Sequence, residues 1–218
     1  MTIFYPRKAS DVWPRHPYGS AVRVQDWIYV PIPKCASTWT KELWKPGYEC
    51  DFVTEQQSGA VSHVVILRDP VERWISGFAQ CQVGNDPTCK DHWQRLGWDW
   101  VFDTVVFDNH TEPQSSFLAG IELDRVTWFQ FGPDLETNML AWFRDQLGMQ
   151  QNTAGIDRYR AQDQAAPVFR NGMVGISQTE IMHLARQQLD QRPAARQQLQ
   201  DCYQEDQDLF DSVTFYTC

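Results

Sequence analysis

Two stretches of this chain follow one pattern: a β-rich run, a short loop carrying a cation, then a helix. Residues 22–32 (VRVQDWIYVPI) are β-rich and run into Pro33, and residues 37–45 carry helix formers with Trp39, Leu43 and Trp44 at i, i+4 and i+5. Residues 61–67 (VSHVVIL) are a nearly continuous apolar run, the kind found in strands buried on both faces. That run ends at Arg68, and Asp69-Pro70 opens a helix over residues 71–80, with Pro in its first turn and Glu72 near its positive end. Two such units in succession need parallel strands with crossover helices packed on the sheet. We therefore expect an α/β fold, a parallel sheet flanked by helices, with its strand-end loops gathered at one edge where such sheets bind ligands.

Between the units, a β-like segment at residues 48–54 leads to a polar turn at residues 55–59. Beyond them the chain turns helical. Residues 85–93 are turn-rich, residues 98–107 read as a helix and residues 125–131 (RVTWFQF) as a strand. Residues 134–147 form an amphipathic helix with Asp134 as N-cap, Gly148 as C-cap, and Leu135, Met139, Leu140, Trp142, Phe143 and Leu147 on one broad stripe. Residues 178–189 and 194–210 form a final helical pair separated by Pro193. Residues 1–20 are proline-rich and aperiodic, an irregular N-terminal arm. With 218 residues and 42% hydrophobic content, one domain over residues 1–218 suffices. Ten Trp and twelve Phe are expected as core anchors. For Trp93, Trp98 and Trp100, stacking on sugar rings is the alternative to core packing.

A net charge of −9 argues against a nucleic-acid binder, which needs a basic face to release counterions. Any anionic ligand must then be held by a local cationic site. The first twenty residues contain no apolar export core, and no stretch reaches the roughly 18 apolar residues of a spanning helix. A cytoplasmic protein without a membrane segment is the expectation. Six scattered cysteines show no CxxC zinc pattern. Cys81 and Cys89 bracket a turn and would pair in an oxidising compartment; without an export signal, free thiols are expected.

The segment Pro31-Ile-Pro-Lys-Cys-Ala-Ser-Thr-Trp39 places Lys34, two small residues and two hydroxyls between a strand end and a helix start. Backbone N–H groups at such a start are unpaired, so the physics points to an anion. The loop lacks the GxxxxGK[ST] spacing of a Walker A loop, and the second strand ends in Arg68 where a magnesium-holding Asp would sit. No metal is expected.

PKCASTW resembles the 5′-phosphosulfate loop of sulfotransferases that use 3′-phosphoadenosine 5′-phosphosulfate (PAPS). The resemblance implies that Lys34 contacts the bridging oxygen, that the N–H groups of Cys35, Ala36, Ser37 and Thr38 with the Ser37 and Thr38 hydroxyls cradle the phosphate, and that Trp39 covers the base. Cys35 and Ala36 depart from the commoner Ser/Thr and Gly. Arg68-Asp-Pro-Val-Glu-Arg-Trp-Ile-Ser76 resembles the family's 3′-phosphate motif, in which the residues at Arg68 and Ser76 grip that phosphate. Arg73 is a further cation there or an ordinary helix residue. Downstream, His110-Thr-Glu-Pro-Gln114, the helix ending at Gly148 and Tyr203-Gln-Glu-Asp206 are similar to the carbohydrate, membrane-type branch. Phe169-Arg-Asn-Gly-Met-Val-Gly175 faintly resembles a third nucleotide-binding segment.

The resemblance implies transfer of a sulfuryl group from PAPS to a hydroxyl of a glycan or small molecule, leaving adenosine 3′,5′-bisphosphate. In-line transfer asks for a cation at the leaving oxygen, here Lys34, and a base for the acceptor hydroxyl. Glu55 and His110 are the candidate bases, whereas His63 begins a strand far from Arg68. Two other readings predict different behaviour. A divergent nucleotide or sugar kinase needs magnesium and ATP, and a non-catalytic nucleotide-binding module binds without transfer.

Overall fold

The structure is a computed structural model that describes residues 21–44, 48–50, 62–83, 87–151 and 176–218. The expected N-terminal arm, the polar turn with Glu55 and the segment from Phe169 to Gly175 lie outside the described residues.

Strands β1 (Ala21–Val24), β2 (Trp27–Val30), β3 (Tyr48–Cys50), β4 (Ser62–Leu67) and β5 (Val126–Gln130) form one sheet in the order β3-β1-β2-β4-β5. β2, β4 and β5 run parallel, with Val30 opposite Val65 and Leu67 opposite Gln130. β1 is antiparallel to both β2 and β3, so the sheet is mixed at one side. The parallel ladder is the α/β arrangement that the two strand–loop–helix units predict. One strand expected over residues 22–32 is instead a hairpin. Val24 pairs with Trp27 across Gln25-Asp26, and Gln25 takes a left-handed φ of 53°. Apolar residues flank that turn closely on both sides, so periodicity alone reads through it.

Helix α1 (Ser37–Leu43) leaves the loop after β2, and α2 (Pro70–Val83) leaves the end of β4. The Asp69 carboxylate accepts from Glu72 N at 2.8 Å and so closes the first turn of α2. Helix α3 (Pro87–Thr104) is kinked at Gly97, whose φ is 71°. After a 3₁₀ turn at Gln114–Leu118, β5 leads to α4 (Leu135–Leu147), ended by left-handed Gly148. Asp134 makes no side-chain cap hydrogen bond, contrary to expectation. The expected final pair is three helices: α5 (Gln178–Gln191), α6 (Pro193–Cys202) and α7 (Gln204–Ser212). The extra break falls at Tyr203, whose buried hydroxyl donates to Thr111 O, a long-range bond that local sequence cannot announce.

The buried residues fall into two clusters. One joins the sheet to α1 and α4, with Trp44 stacked on Trp142 at 5.8 Å. The other joins α2 to α3, α5 and α6, where Trp74 stacks on Phe78 at 5.6 Å and Trp93 and Trp98 pack around that ring. The tryptophans are thus mostly core anchors, and Trp93, Trp98 and Trp100 pack in or against the second cluster. Among the described residues, no helix is long and apolar enough to cross a membrane.

Helix α2 approaches the loop before Gln114 so closely that a methyl group on Gly77 would overlap His110 O and press on Thr111. Gly77→Ala therefore destabilises the fold by about 1–3 kcal/mol through overpacking, read from urea unfolding midpoints. An unchanged midpoint would show that the loop yields freely.

Candidate functional site

The loops leaving β2 and β4 meet at the C-terminal edge of the parallel ladder. Residues 33–36 form a tight turn in which Lys34 (φ 67°) and Ala36 (φ 57°) are both left-handed. An L-residue pays roughly 1–2 kcal/mol for that conformation, which a Gly avoids. Cys35 lies between them, fully buried, with its Sγ 3.2 Å from Gln114 Oε1. Its N–H donates to Ile32 O at 3.2 Å, so this amide serves the turn, and the expected phosphate cradle starts after it. Burial pushes the Cys35 thiol up to about 11, against the pull of Arg73 and Arg68, which keeps it neutral at physiological pH. Ser37 is half-buried and Thr38 is exposed.

Arg68 sits at the end of the neighbouring strand. Its Nη1 donates to Lys34 O at 3.3 Å, its Nη2 lies 3.9 Å from Glu72, and its guanidinium stacks over Phe131 at 4.5 Å. The Lys34 ammonium in turn lies 3.5 Å from Gln80 Oε1 on α2. The two sequence-predicted cations therefore stand at one edge of the sheet, the Arg68 guanidinium against the Lys34 backbone. Ser76 lies two turns along α2 and is 4% exposed. Trp39, expected to cover a base, is 7% exposed and belongs to the sheet core, where it packs α1 down.

What holds this edge together was not visible in the motifs. Arg73 is 1% exposed, and its guanidinium donates to Pro33 O at 3.0 Å, to Glu112 O and to Asn109 O at 3.4 Å. The even choice left by the sequence resolves to a structural clip. Gln114 is a second clip, accepting from Arg68 N at 3.0 Å and donating to Arg68 O at 2.9 Å. The buried Asp206 carboxylate, from the start of α7, accepts from Gln114 N at 2.6 Å and Ser115 N at 2.8 Å. The only sequence signal for these partners was the paired occurrence of the His110–Gln114 and Tyr203–Asp206 segments.

His110 stands on a rigid turn. Its N–H and its Nδ1 both meet the Asp108 carboxylate, at 2.9 and 2.8 Å, while Thr111 Oγ1 accepts from Phe107 N and Asp108 N. Burial alone would raise the Asp108 carboxyl; hydrogen bonds from His110 and the Cys81 thiol outweigh it and hold the group below its usual range. His63 is buried at the start of β4, far along the strand from Arg68, and burial lowers its pKa, as suits a structural residue. Cys81 is in no disulfide, and the side chain of Cys89 lies outside the described residues.

Fold and geometry together define an α/β protein with Lys34 and Arg68 side by side at adjacent parallel strand ends. A family model described as the sulfotransferase family matches residues 48–215, most of the chain, and the chain belongs to that family of sulfuryl-transferring enzymes. The match covers Arg68, Ser76, His110 and Asp206 but begins after the Lys34 loop. No curated protein and no solved structure matches the chain.

Two measurements check the loop geometry. Ala36→Gly relieves the left-handed alanine and raises stability by about 1 kcal/mol, read from thermal melts; destabilisation would contradict the assigned φ. Iodoacetamide at pH 8 leaves Cys35 unmodified in the native chain while labelling exposed Cys218, and labels Cys35 only after unfolding.

Proposed function

We propose that the chain transfers the sulfuryl group of PAPS to a hydroxyl on a glycan or small-molecule acceptor, in the manner of the carbohydrate-type branch. The reading rests on one contact: the Arg68 guanidinium donates to the Lys34 carbonyl, so cation-bearing residues from two successive β–α units lie side by side. A diester with charge at both ends suits such a pair, since Arg grips phosphate bidentately and Lys acts as a point charge. Branch likeness draws support from the packing of the His110–Gln114 segment onto Tyr203 and Asp206.

When bound, PAPS supplies the activated sulfuryl group. Lys34 then neutralises charge on the leaving oxygen, the amides of Ala36 to Thr38 with the Ser37 and Thr38 hydroxyls hold the 5′-phosphate, and Arg68 with Ser76 holds the 3′-phosphate. His110 takes the acceptor proton. With Nδ1 engaged by Asp108, the tautomer carrying its proton there places the basic lone pair on Nε2. Glu55, the other candidate base, lies outside the described residues. No metal enters this scheme.

Calorimetry with adenosine 3′,5′-bisphosphate tests the donor. Binding is expected without magnesium, and Arg68→Ala is expected to weaken it roughly tenfold to a hundredfold while barely changing affinity for adenosine 5′-phosphate. Preference for magnesium-ATP would overturn the assignment in favour of a kinase. An acceptor screen with labelled PAPS then separates transfer from binding alone. His110→Gln is expected to keep nucleotide affinity and to lose about 10²- to 10⁴-fold in kcat; undiminished turnover would move the base to Glu55, where Glu55→Gln provides the matching measurement.

A further inference from the structure

Cys81 lies 27 residues before Asp108 in sequence, yet Cys81, Asp108 and His110 bring one ligand atom each within 4.8 Å of one another. Among the described residues, this is the one group of three or more such side chains close enough to hold a metal ion. We propose that these residues form a binding site for a soft divalent cation, zinc in the first place, and that its occupancy switches the transferase off by engaging His110. The regulatory half rests on the reading of His110 as the base.

The chemistry of the donors selects the ion. A thiolate, an imidazole and a carboxylate suit zinc, copper or nickel and are poor ligands for magnesium or calcium. With Zn–S near ~2.3 Å and Zn–N or Zn–O near ~2.0–2.2 Å, tetrahedral ligand atoms stand about 3.5 Å apart. His110 Nδ1 and Asp108 Oδ2 are already 2.8 Å apart. The triangle therefore needs only side-chain adjustment of about an ångström to close around an ion. Three protein ligands leave the fourth position to water.

The scaffold is pre-organised. Cys81 is carried by α2, whose Gly77 lies against His110 O one turn earlier. Asp108 and His110 are fixed by the Thr111 turn, in which Thr111 N and Glu112 N both donate to Asp108 O at 3.0 Å. Arg73, also on α2, donates to Asn109 O and Glu112 O, which ties the helix to the turn. Metal entry at Nδ1 exchanges the thiol proton for the ion and releases that proton to solvent, while the imidazole proton passes from Nδ1 to Nε2 and removes the lone pair the base needs; the thiolate offsets part of the cation's charge. Gln80, next to Cys81, reaches Lys34, which sets the metal site beside the phosphosulfate loop.

Cobalt serves as the probe. Titrating the reduced full chain with Co²⁺ is expected to give, at one equivalent, a near-ultraviolet thiolate-to-cobalt charge-transfer band and the strong visible bands of a four-coordinate ion, both removed by Zn²⁺. Cys81→Ser is expected to abolish the charge-transfer band, Asp108→Asn to weaken cobalt binding roughly tenfold or more, and Cys218→Ser to leave the band intact. Circular dichroism melts show whether each variant is folded, and His110→Asn provides a second ligand deletion if Cys81→Ser does not fold. In the transferase assay, zinc is expected to inhibit the wild type, and its inhibition constant to rise at least about tenfold in Cys81→Ser, each protein measured against its own zinc-free rate. Absence of the band in the wild type, its persistence in folded Cys81→Ser, or a saturated site that leaves transfer unaffected would each overturn the proposal. The cobalt measurement needs neither donor nor acceptor, so a wrong transferase reading and a wrong metal site give separate results.

Discussion

Three backbone carbonyls from two separate loops converge on the guanidinium of Arg73, in a place with almost no access to water. A buried charge of this kind is tolerated only when its donors are met, because its desolvation costs several kcal/mol. Arg can meet that demand with a rigid fork of five donors aimed in several directions; a Lys ammonium in the same position could not reach all three carbonyls. The ring of Phe117 lies beneath the group at 5.8 Å and adds a weaker attraction. One end of the clip holds Pro33, the residue before Lys34, and the other holds the turn that carries His110. The relative placement of the Lys34 loop and the His110 turn thus draws on a side chain from a third element, α2.

Around that clip, charges are sorted by partner. The chain is acidic overall, yet carboxylates on the elements around Arg68 are engaged: Glu72 by Arg186 at 2.7 Å, Asp206 by two backbone amides, Asp69 by the first turn of α2. The hydrogen bond from Arg186 lowers the Glu72 pKa despite partial burial, so Glu72 stays anionic beside Arg68 without neutralising it fully. Cys35, kept neutral by burial, adds no competing negative charge inside the loop. A locally cationic edge can therefore exist in a protein of net charge −9, because field strength at short range is set by the nearest few groups.

Much of this edge could be read from residue order. Apolar runs ending in Pro33-Lys34 and in Arg68-Asp69-Pro70 announced two strand–helix junctions, since burial on both faces and helix initiation leave local signatures. The Gln25-Asp26 turn and the break at Tyr203 were missed. The first is hidden by apolar residues flanking a two-residue loop, and the second is enforced by a hydrogen bond to a residue ninety-odd positions away. Trp39 shows the opposite limit: a motif supplies a ring at the expected place, but packing directs it into the core.

The sequence by itself determined that cations would stand at the ends of neighbouring parallel strands, because hydrophobic periodicity and turn chemistry act over a few residues. Only the tertiary structure decided that Arg73 would be a buried clip, that Gln114 would pin Arg68, and that Cys81, Asp108 and His110 would meet. Those outcomes depend on where distant backbone groups end up needing partners once water is excluded, and no local pattern encodes that requirement.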